Sequence, residues 1–225
     1  MRIKRCVQSD GGKKIKTSTV IAAIPAVVVV EFTARLLISQ NVPAHMIALG
    51  LARIAQIILL LIIAKVCEKS LATVGLASSR AYQGLKKGLI WSVLFGVVAG
   101  IVLLVIHLTG IHISGLFRMP LPPESNQLLA FFLVGVLIGP VAEEIFFRGI
   151  LYTFFRRWGV PTAAVLSTLL FVLPHSYASG SIMPVTQLIG GLLFAIAYEV
   201  EKNLLVPIII HCLGNLAIFT LALMV

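Results

Sequence analysis

Apolar stretches long enough to cross a lipid bilayer recur along the whole chain, and they constrain the fold more tightly than any single motif. A helix rising about 1.5 Å per residue needs about 20 apolar residues to traverse about 30 Å of hydrocarbon. Such runs lie near Val20 to Ile38, Ala44 to Ala64, Gly88 to Leu108, Leu128 to Phe147, Pro161 to Tyr177, Pro184 to Val200 and Leu204 to Val225. The alternating pattern of a membrane barrel strand is absent, so the runs read as helices. Hydrophobic residues make up 59% of the 225 and charged ones 12%. At a mean hydropathy of +1.06, too little polar surface remains to coat a water-soluble globule. The expected fold is all-α, a polytopic membrane helix bundle of about seven transmembrane helices with lipid as its solvent. Its expected parts are a basic N-terminal tail (1–17), three helices with their loops (18–127) and a C-terminal transmembrane core (128–225).

The net charge of +10 would suit a nucleic-acid partner if the basic residues formed one face. They cluster instead at alternate ends of the runs. Arg2, Lys4, Arg5, Lys13, Lys14 and Lys16 precede the first; Lys65, Lys69, Arg80, Lys86 and Lys87 surround the second connection; Arg156 and Arg157 follow the fourth. The connections between carry few charges, which is the positive-inside pattern. It predicts an integral protein of the cell (inner) membrane, with a cytoplasmic N-terminus, an outward C-terminus and no nucleic-acid partner. A basic start before an apolar run also resembles a signal peptide. Glu31 and Arg35 interrupt that run, which is already long for such a segment, and an uncleaved first span is expected. One helical turn apart, these two can pair and lower their burial cost. Cys6, Cys67 and Cys212 are odd in number and scattered, so neither a disulfide framework nor a zinc spacing emerges.

An ionisable group at mid-bilayer costs on the order of 3 kcal/mol, which makes it a functional-site candidate. Glu143, Glu144 and Arg148 lie together in the stretch from Val141 to Gly149, His175 ends Phe171-Val-Leu-Pro-His175, and His211 opens His211-Cys-Leu-Gly-Asn215. Glu144 with Arg148, Phe171 with His175 and His211 with Asn215 are each spaced by four, so each pair shares a helix face. Glu143 precedes Arg157 by fourteen residues, and His175 follows Pro161 by fourteen. If the fourth helix runs on to Arg157 and turns at Trp158 to Val160, both groups stand ~21 Å from that turn. His211 and Asn215 lie roughly 14 to 20 Å beyond the charged turn Glu199 to Asn203 on the same scale. All can share one depth. Pro140, Pro174 and Pro207 fall just ahead of these residues and would free carbonyls and bend helices there. Gly135 and Gly139 would let a neighbouring helix or a substrate approach closely.

Three motifs in order, Glu-Glu-x-x-x-Arg, Phe-x-x-x-His and His-x-x-x-Asn, resemble those of the intramembrane proteases that include the type II CAAX prenyl endopeptidases and their bacterial relatives, the CPBP or Abi family. The resemblance covers roughly Leu128 to Phe219, and every motif position is intact. The first three runs resemble nothing specific. The resemblance implies a glutamic endopeptidase that uses no cofactor and acts on a membrane-anchored peptide or protein, and the residue types agree. Peptide hydrolysis needs a water deprotonated near neutral pH, a proton for the leaving amine and donors aimed at the developing oxyanion. Glu143 suits the first task, with His175 orienting the water or shuttling the proton. His211 and Asn215 can donate to the oxyanion. Glu144 points about 100° away from Glu143 and can pair with Arg148 to hold the helix, and Phe171 belongs to the supporting set.

Other readings of the same residues stay open. Glu143, His175 and His211 could hold zinc with an open position for water, although no His-Glu-x-x-His segment is present. A transporter would also place ionisable groups at mid-membrane, but it predicts paired repeats that these two halves lack. A non-catalytic immunity or scaffold protein is compatible with the resemblance. His45, His107 and His112 fall near outer ends of runs, where an interfacial role is expected. Cys212 as a nucleophile is disfavoured because its neighbour His211 diverges from it by about 100°.

Overall fold

The computed structural model describes residues 14–38, 42–110, 119, 121–179 and 185–224. Arg2, Lys4, Arg5, Cys6, Lys13, His112, Arg118 and Pro184 lie outside the described residues. The described residues form seven helices in chain order: α1 (Thr17–Ile38), α2 (Val42–Glu68), α3 (Ala81–Leu108), α4 (Ser125–Trp158), α5 (Val160–Ser179), α6 (Val185–Glu201) and α7 (Leu205–Ala222). No strand occurs among them, and the polytopic helical bundle expected from the apolar runs is the fold. Helices α1, α2, α3, α4 and α7 have the length and hydropathy of membrane spans. Helix α5 has 20 residues and α6 has 17, the latter at the short end of what can cross the hydrocarbon.

Lipid-facing surface is apolar throughout. On α3, Val93, Leu94, Val97, Val98 and Ile101 are all more than half exposed, which a helix tolerates only where its solvent is hydrocarbon. The buried set runs instead from Val20 and Ala23 of α1 and Leu60 and Ala64 of α2 through α4, α5, α6 and α7, and includes Ile145, Ile150, Tyr152, Phe171, Ala195, Ala197 and Ile210.

Polar side chains fasten the helices at the basic end. The Lys16 amide donates to Glu68 Oε1 at 2.8 Å and Lys16 Nζ to the Cys67 carbonyl at 2.8 Å, while the Thr19 hydroxyl also reaches Glu68, so the start of α1 is tied to the end of α2. Arg157 Nη2 donates to the Ile15 carbonyl at 2.6 Å, tying in α4. Arg80, ahead of α3, donates to the carbonyls of Glu201 (2.8 Å) and Lys202 (3.3 Å) in the turn between α6 and α7. Gly88 lets α3 close on Ile209 of α7, where a Cβ would sit 2.8 Å from that side chain's own Cβ.

The turn between α4 and α5 falls at Gly159, where the sequence places it. Its φ of +105° and ψ of 162° belong to a region essentially reserved for glycine, costing another residue about 1 to 3 kcal/mol. This turn sets the depth of Glu143 against that of His175. Gly159→Ala is therefore expected to lower stability in detergent by about 1 to 3 kcal/mol. Gly96→Ala, on a part of α3 with no atom within 4 Å of the added Cβ, is expected to leave the thermal unfolding curve unmoved.

Candidate active site

Helix α4 is not a uniform α-helix where its acidic residues lie. Two π-helical stretches, Leu133–Ile138 and Ile145–Tyr152, flank a short α-helical segment, Gly139–Glu144. Such widened turns concentrate at functional sites because they redirect side chains. In the first stretch the Gly139 amide bonds the Val134 carbonyl, five residues back. One step further along that pattern, the Gly135 carbonyl would face residue 140, a proline with no N–H to give. Asn215 of α7 fills the gap, its Nδ2 donating to the Gly135 carbonyl at 2.8 Å. Gly135 also admits Phe219, whose Cε2 would lie 2.5 Å from an added Cβ, so its smallness serves helix packing. Gly139 turns the other way, toward the Val134 carbonyl of its own helix. Pro207 sits in the first turn of α7, where its missing N–H costs little, so the bend expected there is absent.

Glu144 and Arg148 are completely buried. Arg148 Nη1 donates to Glu144 Oε1 at 2.8 Å and Nη2 to the Gly191 carbonyl of α6 at 3.0 Å. The guanidinium also lies 4.5 Å from the ring centre of Phe171 and 5.2 Å from that of Phe194, in reach of a cation–π attraction strengthened by desolvation. A Cβ on Gly191 would stand 2.8 Å from Thr168 Cγ2 and 3.4 Å from Arg148 Nη2. Glycine therefore makes the seat for Arg148. His211 enters from α7, donating through Nδ1 to the same Glu144 Oε1 at 2.9 Å. Its ring stacks on Phe194 with centres 4.6 Å apart, and its Nε2 lies 3.8 Å from Glu143 Oε2.

Glu143, with its side chain 18% exposed, turns away from this network into a cavity of about 230 Å³. His175 lines the same cavity, together with Pro174, Phe146 and Phe147. The His175 ring donates through Nδ1 to the Phe171 carbonyl, 2.8 Å away, the tautomer in which Nε2 can accept. The level matching of Glu143 with His175 thus has its structural counterpart in a shared cavity. His211 and Asn215 are not among the lining residues.

Four polar residues of the cavity wall come from the first two helices: Glu31 and Arg35 of α1, and Arg53 and Gln56 of α2. Glu31 pairs with Arg35 at 3.6 Å, as their spacing allows, and with Arg53 at 3.1 Å. Arg53 Nη1 also donates to Gln56 Oε1 at 2.7 Å. Sequence reasoning passed over Arg53 and Gln56, although Arg53 lies inside an apolar run and the rule that selected Glu143 selects it too. Among the described residues, no three His, Cys, Asp or Glu side chains are gathered closely enough to hold a metal ion. Glu143, His175 and His211 do not fit the zinc reading as they stand.

Two buried atoms of the network, Glu144 Oε2 and Arg148 Nε, have no hydrogen-bond partner, so the pair is not arranged for maximal stability. Removing one member strands the other's charge. Arg148→Met is expected to cost about 3 to 5 kcal/mol of stability, and adding Glu144→Gln is expected to restore part of it. Thermal unfolding of the single and double variants in one detergent checks this, and additive losses would show the two side chains to be uncoupled.

Residues 125–217 match the family model described as type II CAAX prenyl endopeptidase, Rce1-like. The matched segment runs from the first residue of α4 into α7 and contains Glu143, Glu144, Arg148, Phe171, His175, His211 and Asn215. The chain is also similar to an uncharacterized 24.3 kDa protein of Escherichia coli, with 31% identity over 94 residues. That similarity covers 40% of this chain and 42% of the relative's length. No solved structure matches. Five long apolar helices together with this match mark an integral membrane protein, and its residues 125–217 match the Rce1-like, type II CAAX prenyl endopeptidase domain, in keeping with the wider CPBP group.

Proposed function

We propose that the protein is an intramembrane endopeptidase that hydrolyses a peptide bond in a membrane-associated peptide or protein, using Glu143 as the base. The observation that carries this reading is the shared cavity: a carboxylate and an imidazole of different helices face one space at a depth where a charged group is otherwise costly. In the proposed reaction a water bound between Glu143 and His175 Nε2 loses a proton to Glu143 as its oxygen attacks the scissile carbonyl. The tetrahedral intermediate then collapses, the carbon–nitrogen bond breaks, and the same proton passes to the leaving amine.

Geometry supports a role for His211 beyond packing. Its two ring nitrogens face Glu144 and Glu143, which places it between the buried pair and the proposed base. From there, a proton on Nε2 would act through Glu143, 3.8 Å away, on the negative charge that develops in front of it. Asn215 has one amide N–H on the Gly135 carbonyl; with substrate bound, its second is proposed to reach past the present cavity wall to the oxyanion. Removing one such donor elsewhere costs about 3 kcal/mol of transition-state stabilisation. Glu144, Arg148 and Phe171 are positioning residues. The reading is of a metal-free enzyme in the cell membrane with its N-terminus in the cytoplasm.

Glu143→Gln keeps the size of the side chain and removes the base. Cleavage of a membrane-associated peptide by the purified variant is expected to fall at least about 100-fold, with protein level and melting temperature near those of the wild type. Cleavage that survives in Glu143→Gln would overturn the assignment. Loss of wild-type activity on chelation, with recovery on adding zinc, would replace the proposed base with a metal-bound water.

A further inference from the structure

The cavity has a second wall whose polar residues take no part in the chemistry above. Glu31 lies fourteen residues beyond Thr17, the first residue of α1, and Arg53 fifteen residues before Glu68, the last residue of α2. At the helical rise both stand ~21 to 23 Å from the basic ends of their helices, as Glu143 does from Trp158. The wall therefore sits level with the proposed base. It carries two guanidiniums, of Arg35 and Arg53, against the one carboxylate of Glu31.

The guanidinium of Arg53 is engaged on one edge only. Its contacts with Glu31 and Gln56 both use Nη1, and its Nε–H and Nη2–H groups have no acceptor among the described residues. Its side chain is 22% exposed, and it lines the cavity. The Nε and Nη2 donors of one guanidinium form the parallel fork that a carboxylate accepts with two hydrogen bonds. The Nη1 edge, held by Glu31 and Gln56, fixes the direction in which the fork points.

We propose that Arg53 is a specificity-determining residue that binds a carboxylate of the substrate across the cavity from Glu143. This rests on the endopeptidase reading for the word substrate; the carboxylate site itself rests on the geometry of α1 and α2. The cavity, at about 230 Å³, lies below the roughly 300 to 1,000 Å³ of ordinary small-ligand pockets. Were it round it would be about 7 to 8 Å across, the span of roughly two extended residues. The carboxylate therefore belongs within about two residues of the scissile amide, as an acidic side chain or as the substrate's own C-terminus.

Three N-palmitoylated tetrapeptides in nanodiscs test this: Gly-Ala-Leu-Ala with a free C-terminal carboxylate, the same peptide amidated, and the amidated peptide with glutamate in place of leucine. Affinity is measured on the full-length Glu143→Gln protein, which holds peptide without cutting it. At least one carboxylate-bearing peptide is expected to bind at least tenfold tighter than the neutral amide, and which one does so identifies the source of the carboxylate. Adding Arg53→Gln is expected to abolish that ratio, and Arg53→Lys to keep part of it. Glu31→Gln, which releases Arg53 from its fixed counter-ion, is expected to keep or raise it. A structural role for Arg53 would make Arg53→Gln and Glu31→Gln similarly unstable and leave the ratio unmoved. Because each ratio is read within one preparation, partial misfolding of a variant does not imitate the expected result. Equal binding of all three peptides, binding of none, or a preference that survives Arg53→Gln overturns the proposal. Wild-type cleavage of these peptides is scored separately: a preference without cleavage removes the protease and leaves the carboxylate site, whereas cleavage without a preference does the reverse.

Discussion

The bond on which the interior depends is made by one oxygen. Glu144 Oε1 accepts from Arg148 Nη1 and from His211 Nδ1, and through these two partners it links four helices. Arg148 reaches the backbone of α6 and lies against Phe171 of α5, while His211 belongs to α7. In lipid there is no hydrophobic drive to press helices together, and polar contacts with close packing set their register instead. The cost of burying Glu144 and Arg148 is met only while both stay in place. Adjacent residues on a helix diverge by about 100°, so fixing Glu144 inward turns Glu143 toward the cavity. The acid that locks the bundle and the acid that faces open space are consecutive, and neither can be repositioned alone.

Helix α4 shows how such a site is built without leaving backbone groups stranded in hydrocarbon. Its π-helical turns and Pro140 leave the Gly135 carbonyl without its backbone donor, and an unsatisfied carbonyl at this depth costs several kcal/mol. Asn215 supplies the missing hydrogen bond from a different helix. The widened turns that redirect the acidic residues also create a need that only correct docking of α7 fulfils. Irregular backbone and helix assembly are therefore coupled, and α7 carries both His211, which reads Glu144, and Asn215, which reads Gly135.

Much of this was legible in the sequence because membrane spans write their constraints locally. Run length gives the helices, basic clusters give their ends, and counting residues from the turn at Gly159 puts Glu143 and His175 at one level. Spacing by four correctly joins Glu144 to Arg148 and His175 to Phe171. Spacing within one helix does not say which neighbour a face meets, so the bond from His211 to Glu144 and that from Asn215 to Gly135 were out of reach. The π-helical stretches leave no pattern in residue type, since the same apolar residues serve both helical forms. Pro207 misled because its effect depends on its place in the helix, and the start of α7 cannot be fixed to within a turn from hydropathy. Arg53 is a different case: its position inside an apolar run is evident, and only its lack of a motif let it pass.

The match to known proteins begins at residue 125, yet the cavity does not. Val27, Glu31, Arg35, Arg53, Gln56 and Leu60 form one side of it, and Ala142, Glu143, Phe146, Phe147, Pro174 and His175 the other. Residues 125–217 thus hold the carboxylate and imidazole groups and the network that orients them, while α1 and α2 enclose the space in front of them. Among such largely apolar walls each charge is felt more strongly than in bulk water. On the proposed reading, a change of one residue on α1 or α2 would alter what the space accepts without touching the bond from His211 to Glu144. Chemistry and selectivity would then be borne by different stretches of sequence, and a likeness confined to the second stretch would carry the first property without specifying the other.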